Sequence, residues 1–354
     1  MASDPLQLAI DERVRSMLAQ TQTPGAAVAL TVDGRTIYAE GVGVRAPGCA
    51  IQLEANDQFY IYSITKMFLA AITLKLTQNG QIELDAPVQH FLPDLPVEAE
   101  ISVRQLLNHT GGLPDYGSLS AYNADLRADP GKPWTPDQFF TRTLEGGMAF
   151  APGDGWAYSN IGYLIVRLLI ERVSDATFRT VLDEQIAKPL GLQHTFVSDT
   201  REDSAVLTPG FSTVLSQTET LENVAPLYHP GWVAHGVVIS TAGEVARCIE
   251  ELFNGEFLPD DLVQMMLQPT LVPDDHPLFQ QSAYGLGVMI DAESPYGLLT
   301  GHGGGGPGYS LAALHFSNVA GHRVTSVALA NRDAGEIGLQ IAFELAAMLV
   351  EHGS

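Results

Sequence analysis

Two strand-rich segments lie near opposite ends of this 354-residue chain, and this arrangement limits its possible folds more than any other feature. Near the N-terminus, the β-rich runs Gly25–Val32 and 36–44 are separated by Asp33-Gly34, a strong hairpin signal. Near the C-terminus, four further runs alternate in polarity or are β-rich: 284–291, 297–300, 309–316 and 323–331. The pattern predicts one sheet built from both chain ends.

The segments outside these runs are predominantly helical. Apolar residues at helical spacing predict terminal helices at 5–20 and from about 337 to 350. Between about residues 81 and 230 the chain changes to short helices and loops rich in Pro and Gly. We therefore predict a discontinuous sheet domain formed by residues 1–80 and 231–354, with a mostly helical region at 81–230 inserted into it.

Charge and cysteine content exclude several classes of partner and site. The chain has 41 acidic and 18 basic residues, a formal net charge of −23, which disfavours nucleic acid and anionic membranes as partners. Cys49 and Cys248 are too few for a disulfide framework or a metal site, and they leave the redox compartment open. Residues 1–22 lack the apolar core of a signal peptide, and no run of 18 apolar residues exists. We expect no membrane span, and a cytoplasmic location unless a leader was removed.

Residues 63–79 form the most apolar predicted helix, and a helix without a polar face is buried. Ser63 and Lys66 lie in its first turn at positions i and i+3, so they share one face. A desolvated lysine can lose its proton, whereas arginine cannot, and a neutral amine beside a hydroxyl can activate it as a nucleophile. The alternative is a capping serine beside a lysine whose amine reaches water. The four-residue pattern alone does not decide between them.

Tyr158-Ser159-Asn160 precedes a predicted helix at 161–173. A tyrosine in this loop could direct its phenol inward as a proton carrier, and Asn160 could supply an amide to a substrate carbonyl or to Lys66. The alternative is a loop tyrosine followed by an asparagine that caps the helix.

The glycine-rich segment 301–308 lies between two strand-like runs and contains His302, Gly304 and Gly305. So many glycines indicate close backbone approach or unusual φ and ψ angles, which suit a site where N–H groups face a ligand. The segment also matches G-x-G-x-x-G, but no helix follows it, so a dinucleotide site is not expected. His302 could contact a substrate there, and the alternative is a histidine that merely ends a strand.

In chain order, Ser63-x-x-Lys66, Tyr158-x-Asn160 and His302-x-Gly304 resemble the motifs of the serine β-lactamase and penicillin-binding protein-like family. This family includes class C β-lactamases, D,D-peptidases, D-aminopeptidases and β-lactamase-like esterases. The resemblance covers nearly the whole chain. It implies a fold of the α/β plus all-α class, in which an antiparallel sheet of about five strands is flanked by the terminal helices and carries an inserted helical region.

The resemblance also implies a role for each motif residue. Ser63 would attack a carbonyl carbon, while Lys66 and Tyr158 would move its protons. The residues implied in substrate or oxyanion binding are Asn160, His302, Gly304 and Gly305. Asn160 would hold Lys66 and a substrate amide, and the oxyanion hole would consist of the backbone N–H groups of Ser63 and Gly305. His109 lies in a stretch that resembles a structural turn of the family.

The third motif departs from that of β-lactamases, which usually have Lys-Thr-Gly there. His302 and Gly303 remove a fixed charge and a hydroxyl group, so efficient β-lactamase activity is not expected. We predict a serine hydrolase that forms an acyl-enzyme with small esters, amides or D-amino-acid peptides and needs no cofactor or metal. Its partner would be a small-molecule or short-peptide substrate. The alternatives are a non-catalytic penicillin-binding-like protein and a weak β-lactamase, and the oligomeric state is open.

Overall fold

Both chain ends contribute strands to one antiparallel sheet, as the sequence predicts. The computed structural model describes residues 5–216, 220–255, 257–273 and 276–352. The strands are β1 (Gly25–Val32), β2 (Arg35–Gly43), β3 (Phe59–Tyr60), β4 (Phe196–Ser198), β5 (Phe211–Ser212), β6 (Glu222–Asn223), β7 (Val237–Ser240), β8 (Thr270–Leu271), β9 (Ser282–Tyr284), β10 (Met289–Asp291), β11 (Leu299–Gly306), β12 (Tyr309–Val319) and β13 (His322–Ala330). The main sheet has the order β2-β1-β13-β12-β11-β10-β9-β8.

Helices cover the sheet and fill the segment between β3 and β7. They are α1 (Pro5–Gln20), α2 (Thr65–Gln78), α3 (Val103–Leu107), α4 (Ser120–Ala128), α5 (Pro136–Leu144), α6 (Asn160–Ser174), α7 (Phe178–Leu182), α8 (Lys188–Leu190), α9 (Ala242–Asn254), α10 (Asp260–Met266) and α11 (Ile337–His352). The predicted fold class, a mixed α/β protein with a large antiparallel sheet, is confirmed.

The described residues give this sheet eight strands instead of the expected five or so. The run 284–291 is not one strand, because the chain reverses between β9 and β10. Gly285 N donates to Val288 O at 2.8 Å, and Gly287 has a φ of 74°, in the left-handed region that favours glycine. Strands as short as β8, β9 and β10 carry too few residues to show a period in the sequence.

Alternation along β1 separates two hydrophobic cores. Ala27 and Ala29 face the core that also contains α2 and the helical segment, whereas Ala26, Val28 and Leu30 face the terminal helices. Helices α1 and α11 cover this second face, and α9 packs on β1 and β13 from the opposite side. The first core includes side chains from both the predicted sheet domain and the predicted helical region at 81–230. The division of the chain into these two domains stays a prediction. In the described part of the chain, no helix is both long and apolar enough to cross a membrane.

Candidate active site

Ser63 is held by the strand that precedes it. After β3, Ile61 N donates to Val238 O of β7 at 2.9 Å, and Tyr62–Ile64 form a 3-10 turn that leads into α2. The regular helix therefore begins at Thr65, two residues later than the sequence predicts. Ser63 is half-buried, and it lines the cavity described below.

Tyr62 adopts a backbone conformation that a bulky side chain rarely takes, with a φ of 42°. Its hydroxyl donates to Pro307 O at 2.8 Å, and its ring packs over Gly306 so closely that a Cβ there would lie 2.5 Å from the ring. The last residue of β11 and the residue after it therefore fix the turn that carries Ser63. A strained backbone such as that of Tyr62 is often found beside reactive groups.

Lys66 lies in the first turn of α2 with no exposed surface. Its Nζ donates to Ser63 Oγ at 3.1 Å and to Asn160 Oδ1 at 2.7 Å. Burial lowers the pKa of Lys66 from 10.5 to about 7, although the Asp115 carboxylate opposes this shift. The amine is therefore available in both protonation states near neutral pH, and the alternative in which it reaches water does not hold.

Tyr158 approaches Ser63 from the loop before α6, and its hydroxyl donates to Ser63 Oγ at 2.9 Å. Burial raises its pKa, so the phenol stays protonated at neutral pH. The cap of α6 is Ser159, whose side chain accepts from Gly162 N at 3.1 Å. Asn160 is consequently not the capping residue, and its side chain is free to bind Lys66.

Asp115 is part of this network, although it lies in none of the three predicted motifs. Its Oδ1 accepts from the backbone N and from Nδ2 of Asn160, both at 3.0 Å. These two bonds orient the Asn160 amide so that Oδ1 faces Lys66. In the sequence, Asp115 follows Pro114 and resembles any aspartate in a turn, so no local signal distinguishes it.

Two buried histidines complete the surroundings. His109 accepts from Ser159 N at Nδ1 (3.1 Å), and its ring centroid lies 4.5 Å from that of Tyr158. His235 Nε2 lies 3.5 Å from Lys66 Nζ. Burial lowers the pKa of both imidazoles well below the usual value, so both are neutral. His109 supports the Tyr158 loop, and His235 lies in none of the three predicted motifs.

The third predicted motif lies inside β11, next to the turn that carries Ser63. A Cβ on Gly304 would be 2.7 Å from Ile61 O, so only glycine lets the strand approach this closely. His302 is 3 % exposed, and its Nε2 and the Tyr284 hydroxyl lie 2.8 Å apart. Burial lowers the pKa of His302 to about 3. His302 is not among the residues that line the cavity at Ser63, and its contact with a substrate stays a prediction.

A cavity of about 390 Å³ adjoins the Ser63 hydroxyl. Besides Ser63, its lining includes Asn160 and Gly305 from the predicted site and His235 and Asp333, which were not predicted. Much of the remaining wall is aromatic, with Tyr62, Tyr116, Tyr122, Tyr228, Trp232 and Tyr309. Within the described ranges, no group of three or more His, Cys, Asp or Glu side chains is placed to hold a metal ion.

Comparisons with known proteins show which family this chain belongs to. A family model described as Beta-lactamase matches residues 10–347. Penicillin-binding protein 4* of Bacillus subtilis (strain 168) is 26% identical over 290 residues, which cover 79% of this chain and 62% of that protein. Esterase EstB of Burkholderia gladioli is 28% identical over 206 residues, which cover 53% of this chain and 51% of that protein. The chain thus spans less than two thirds of the length of these curated relatives.

Among solved structures, a D-stereospecific amidohydrolase from Streptomyces sp. has the same fold over its whole length. The TM-score is 0.81 at 28% sequence identity, with 98% of this chain and 99% of that chain covered. The sheet, the terminal helices and the inserted helices therefore all have counterparts in that protein.

Proposed function

The chain belongs to the beta-lactamase family, and on that premise we propose that it is a serine hydrolase that forms an acyl-enzyme with small esters, amides or D-amino-acid peptides. One observation carries the proposal: the Ser63 hydroxyl lies 3.1 Å from Lys66 Nζ and 2.9 Å from the Tyr158 hydroxyl. Two proton carriers on one hydroxyl can take its proton and supply one to a leaving group, so acyl transfer can proceed without histidine or metal. The similarity to an esterase and an amidohydrolase supports this range of substrates.

In the first half-reaction, Ser63 Oγ forms a bond to the substrate carbonyl carbon while its proton passes to the neutral amine of Lys66. A pKa of about 7 leaves a substantial fraction of this amine unprotonated at neutral pH. Asn160 accepts a hydrogen bond from the same nitrogen and keeps it directed at Ser63. We assign the negative oxygen that develops to the backbone N–H groups of Ser63 and Gly305, both of which line the cavity.

The intermediate then collapses as the bond between the carbonyl carbon and the leaving nitrogen or oxygen breaks. The leaving atom takes a proton from the Tyr158 hydroxyl, whose raised pKa keeps that proton in place until this step. The proton held by Lys66 replaces it. In the second half-reaction, water attacks the acyl carbon and gives a proton to the same pair, and Ser63 Oγ leaves with a proton.

Intact-mass spectrometry tests the proposal directly. Wild type and Ser63→Ala are incubated with a penicillin, p-nitrophenyl esters and D-alanyl peptides, and both the acyl adduct and the product are followed. We expect wild type to form a transient adduct and release product, whereas Ser63→Ala does neither. Ser317→Ala, which removes an exposed hydroxyl on the sheet, is the matched control and should behave as wild type.

Hydrolysis that survives the Ser63→Ala change would contradict the mechanism. A lasting penicillin adduct without turnover of any compound would instead favour the non-catalytic alternative. Rapid release of hydrolysed penicillin would identify a β-lactamase, against the expectation from His302 and Gly303.

A further inference from the structure

Asp333 lies on the cavity wall, although it belongs to no predicted motif. It follows β13, and its backbone N donates to Phe211 O at 3.2 Å. Its Oδ2 accepts from Gly308 N at 3.4 Å, in the turn that joins β11 to β12. The carboxylate is therefore fixed near the end of the strand that contains Gly305, on the same cavity as Ser63.

Asp333 contributes the one carboxyl group among the residues that line this cavity, and no lysine or arginine lines it. His235 is neutral because burial lowers its pKa. Among the described residues, no cation forms an ion pair with Asp333 within 4.0 Å, and the adjacent Arg332 instead donates to Thr21 O and Gln22 O at 2.9 Å. Burial raises the pKa of Asp333, as expected for a carboxylate that lacks a close counterion.

The walls around this carboxylate suit an organic cation. Tyr62 donates its hydroxyl proton to Pro307 O at 2.8 Å, Tyr309 donates to Thr208 O at 2.5 Å, and Trp232 donates through Nε1 to Pro130 O at 2.9 Å. Because these polar atoms are already bonded to backbone, the rings contribute mainly their surfaces to the cavity. Aromatic faces attract ammonium groups and also bury hydrocarbon.

We propose that Asp333 determines specificity by binding a substrate ammonium group, so that the preferred substrates are esters or amides that carry a free amine. This inference rests on the proposed hydrolase function. The same charge repels a substrate carboxylate, which would find no fixed cation among the lining residues. The cavity would thus select amine-bearing acyl compounds against acidic ones.

The test compares two matched substrates, phenylalanine p-nitroanilide with its free ammonium group and its N-acetylated, neutral counterpart, each as D and L forms. The measured quantity is the ratio of kcat/KM for the charged substrate to that for the neutral one. Asp333→Asn removes a charge-assisted hydrogen bond to the substrate ammonium group. This loss should lower the ratio about 10-fold or more, mainly through KM. Asp199→Asn removes the same charge from an exposed site outside the cavity and should leave the ratio unchanged.

A ratio that is the same in wild type and Asp333→Asn would overturn the inference, as would an equal fall in Asp199→Asn. If wild type hydrolyses neither substrate, the proposed function is in question, and binding separates the two ideas. Calorimetry on Ser63→Ala should then show that phenylalaninamide binds more tightly than N-acetylphenylalaninamide, and that adding Asp333→Asn removes the difference. Equal binding of the two amides would overturn the role of Asp333 independently of catalysis.

Discussion

The two ends of α2 each carry a lysine that is partly or fully withdrawn from water, yet their surroundings differ. At the N-terminal end, Lys66 is fully buried and bonded to Ser63 and Asn160. At the C-terminal end, Lys75 donates to Gln185 O at 3.3 Å and lies 3.9 Å from the centroid of the Phe257 ring. Burial lowers the pKa of both amines. A lowered pKa is therefore not enough for a catalytic base, which also needs a hydroxyl whose proton it can take.

The largest effect should come from replacing each lysine by methionine. Lys66→Met removes the proposed base, and we expect kcat for a p-nitrophenyl ester to fall about 1,000-fold or more, since general bases contribute 10²–10⁴-fold. Lys75→Met, the matched control on the same helix, should retain wild-type kcat. Lys66→Arg should be as inactive as Lys66→Met because guanidinium keeps its proton.

The melting temperature separates chemistry from folding in this comparison. Burying an amine is costly, so Lys66→Met should be at least as stable as wild type despite its lost activity. If Lys75→Met lost as much activity as Lys66→Met, the contrast between the two ends of α2 would be wrong.

A second test concerns the other partner of the hydroxyl. Tyr158→Phe removes the proton donor at 2.9 Å from Ser63 Oγ and should lower kcat about 100-fold. Tyr163→Phe is the control, because this buried hydroxyl donates to Leu107 O at 2.6 Å and not to Ser63. Equal losses in both variants would show that the tyrosines act only through packing.

Much of the N-terminal end of α2 could be predicted because its information is local. The spacing of Ser63 and Lys66 and the apolar character of the helix both lie within 17 residues. Asp115 and His235 could not be predicted, because they reach the site only through tertiary packing. Nor could Asp333, whose position on the cavity depends on how β13 pairs with β12.

A smaller effect, on stability, is expected from disturbing the packing of β11 against the turn that carries Ser63. Gly304→Ala would place a Cβ 2.7 Å from Ile61 O, so the backbone must move, at a cost of about 1–3 kcal/mol of unfolding free energy. In Gly303→Ala, the matched control, the nearest heavy atom would be 3.9 Å away. Urea unfolding should therefore distinguish the two neighbours. Similar stability of both variants would mean that β11 does not constrain the N-terminal end of α2.

The smallest expected effect is a shift in pH dependence. Lys66 must be neutral to accept the Ser63 proton, so kcat/KM should rise with pH through about 7 and then level off. The Asp115 carboxylate favours the protonated amine, so Asp115→Asn should lower the Lys66 pKa further and move this rise to lower pH. Asn at this position keeps a carbonyl oxygen that can still accept from Asn160.

Asp137→Asn removes the same charge from the exposed first turn of α5 and should leave the profile in place. The shift should be below about one pH unit, because Asp115 acts on Lys66 across Asn160 and desolvation remains the larger cause.

The free energy of unfolding provides an independent test of the Lys66 pKa. Since folding lowers the Lys66 pKa from 10.5 to about 7, the unfolded chain binds more protons between these values, and the free energy of unfolding should gain a contribution that rises with pH across that window. This contribution should be missing from Lys66→Met and present in Lys75→Met. A profile that moves to higher pH in Asp115→Asn would mean that Lys66 is not the group whose deprotonation starts the reaction.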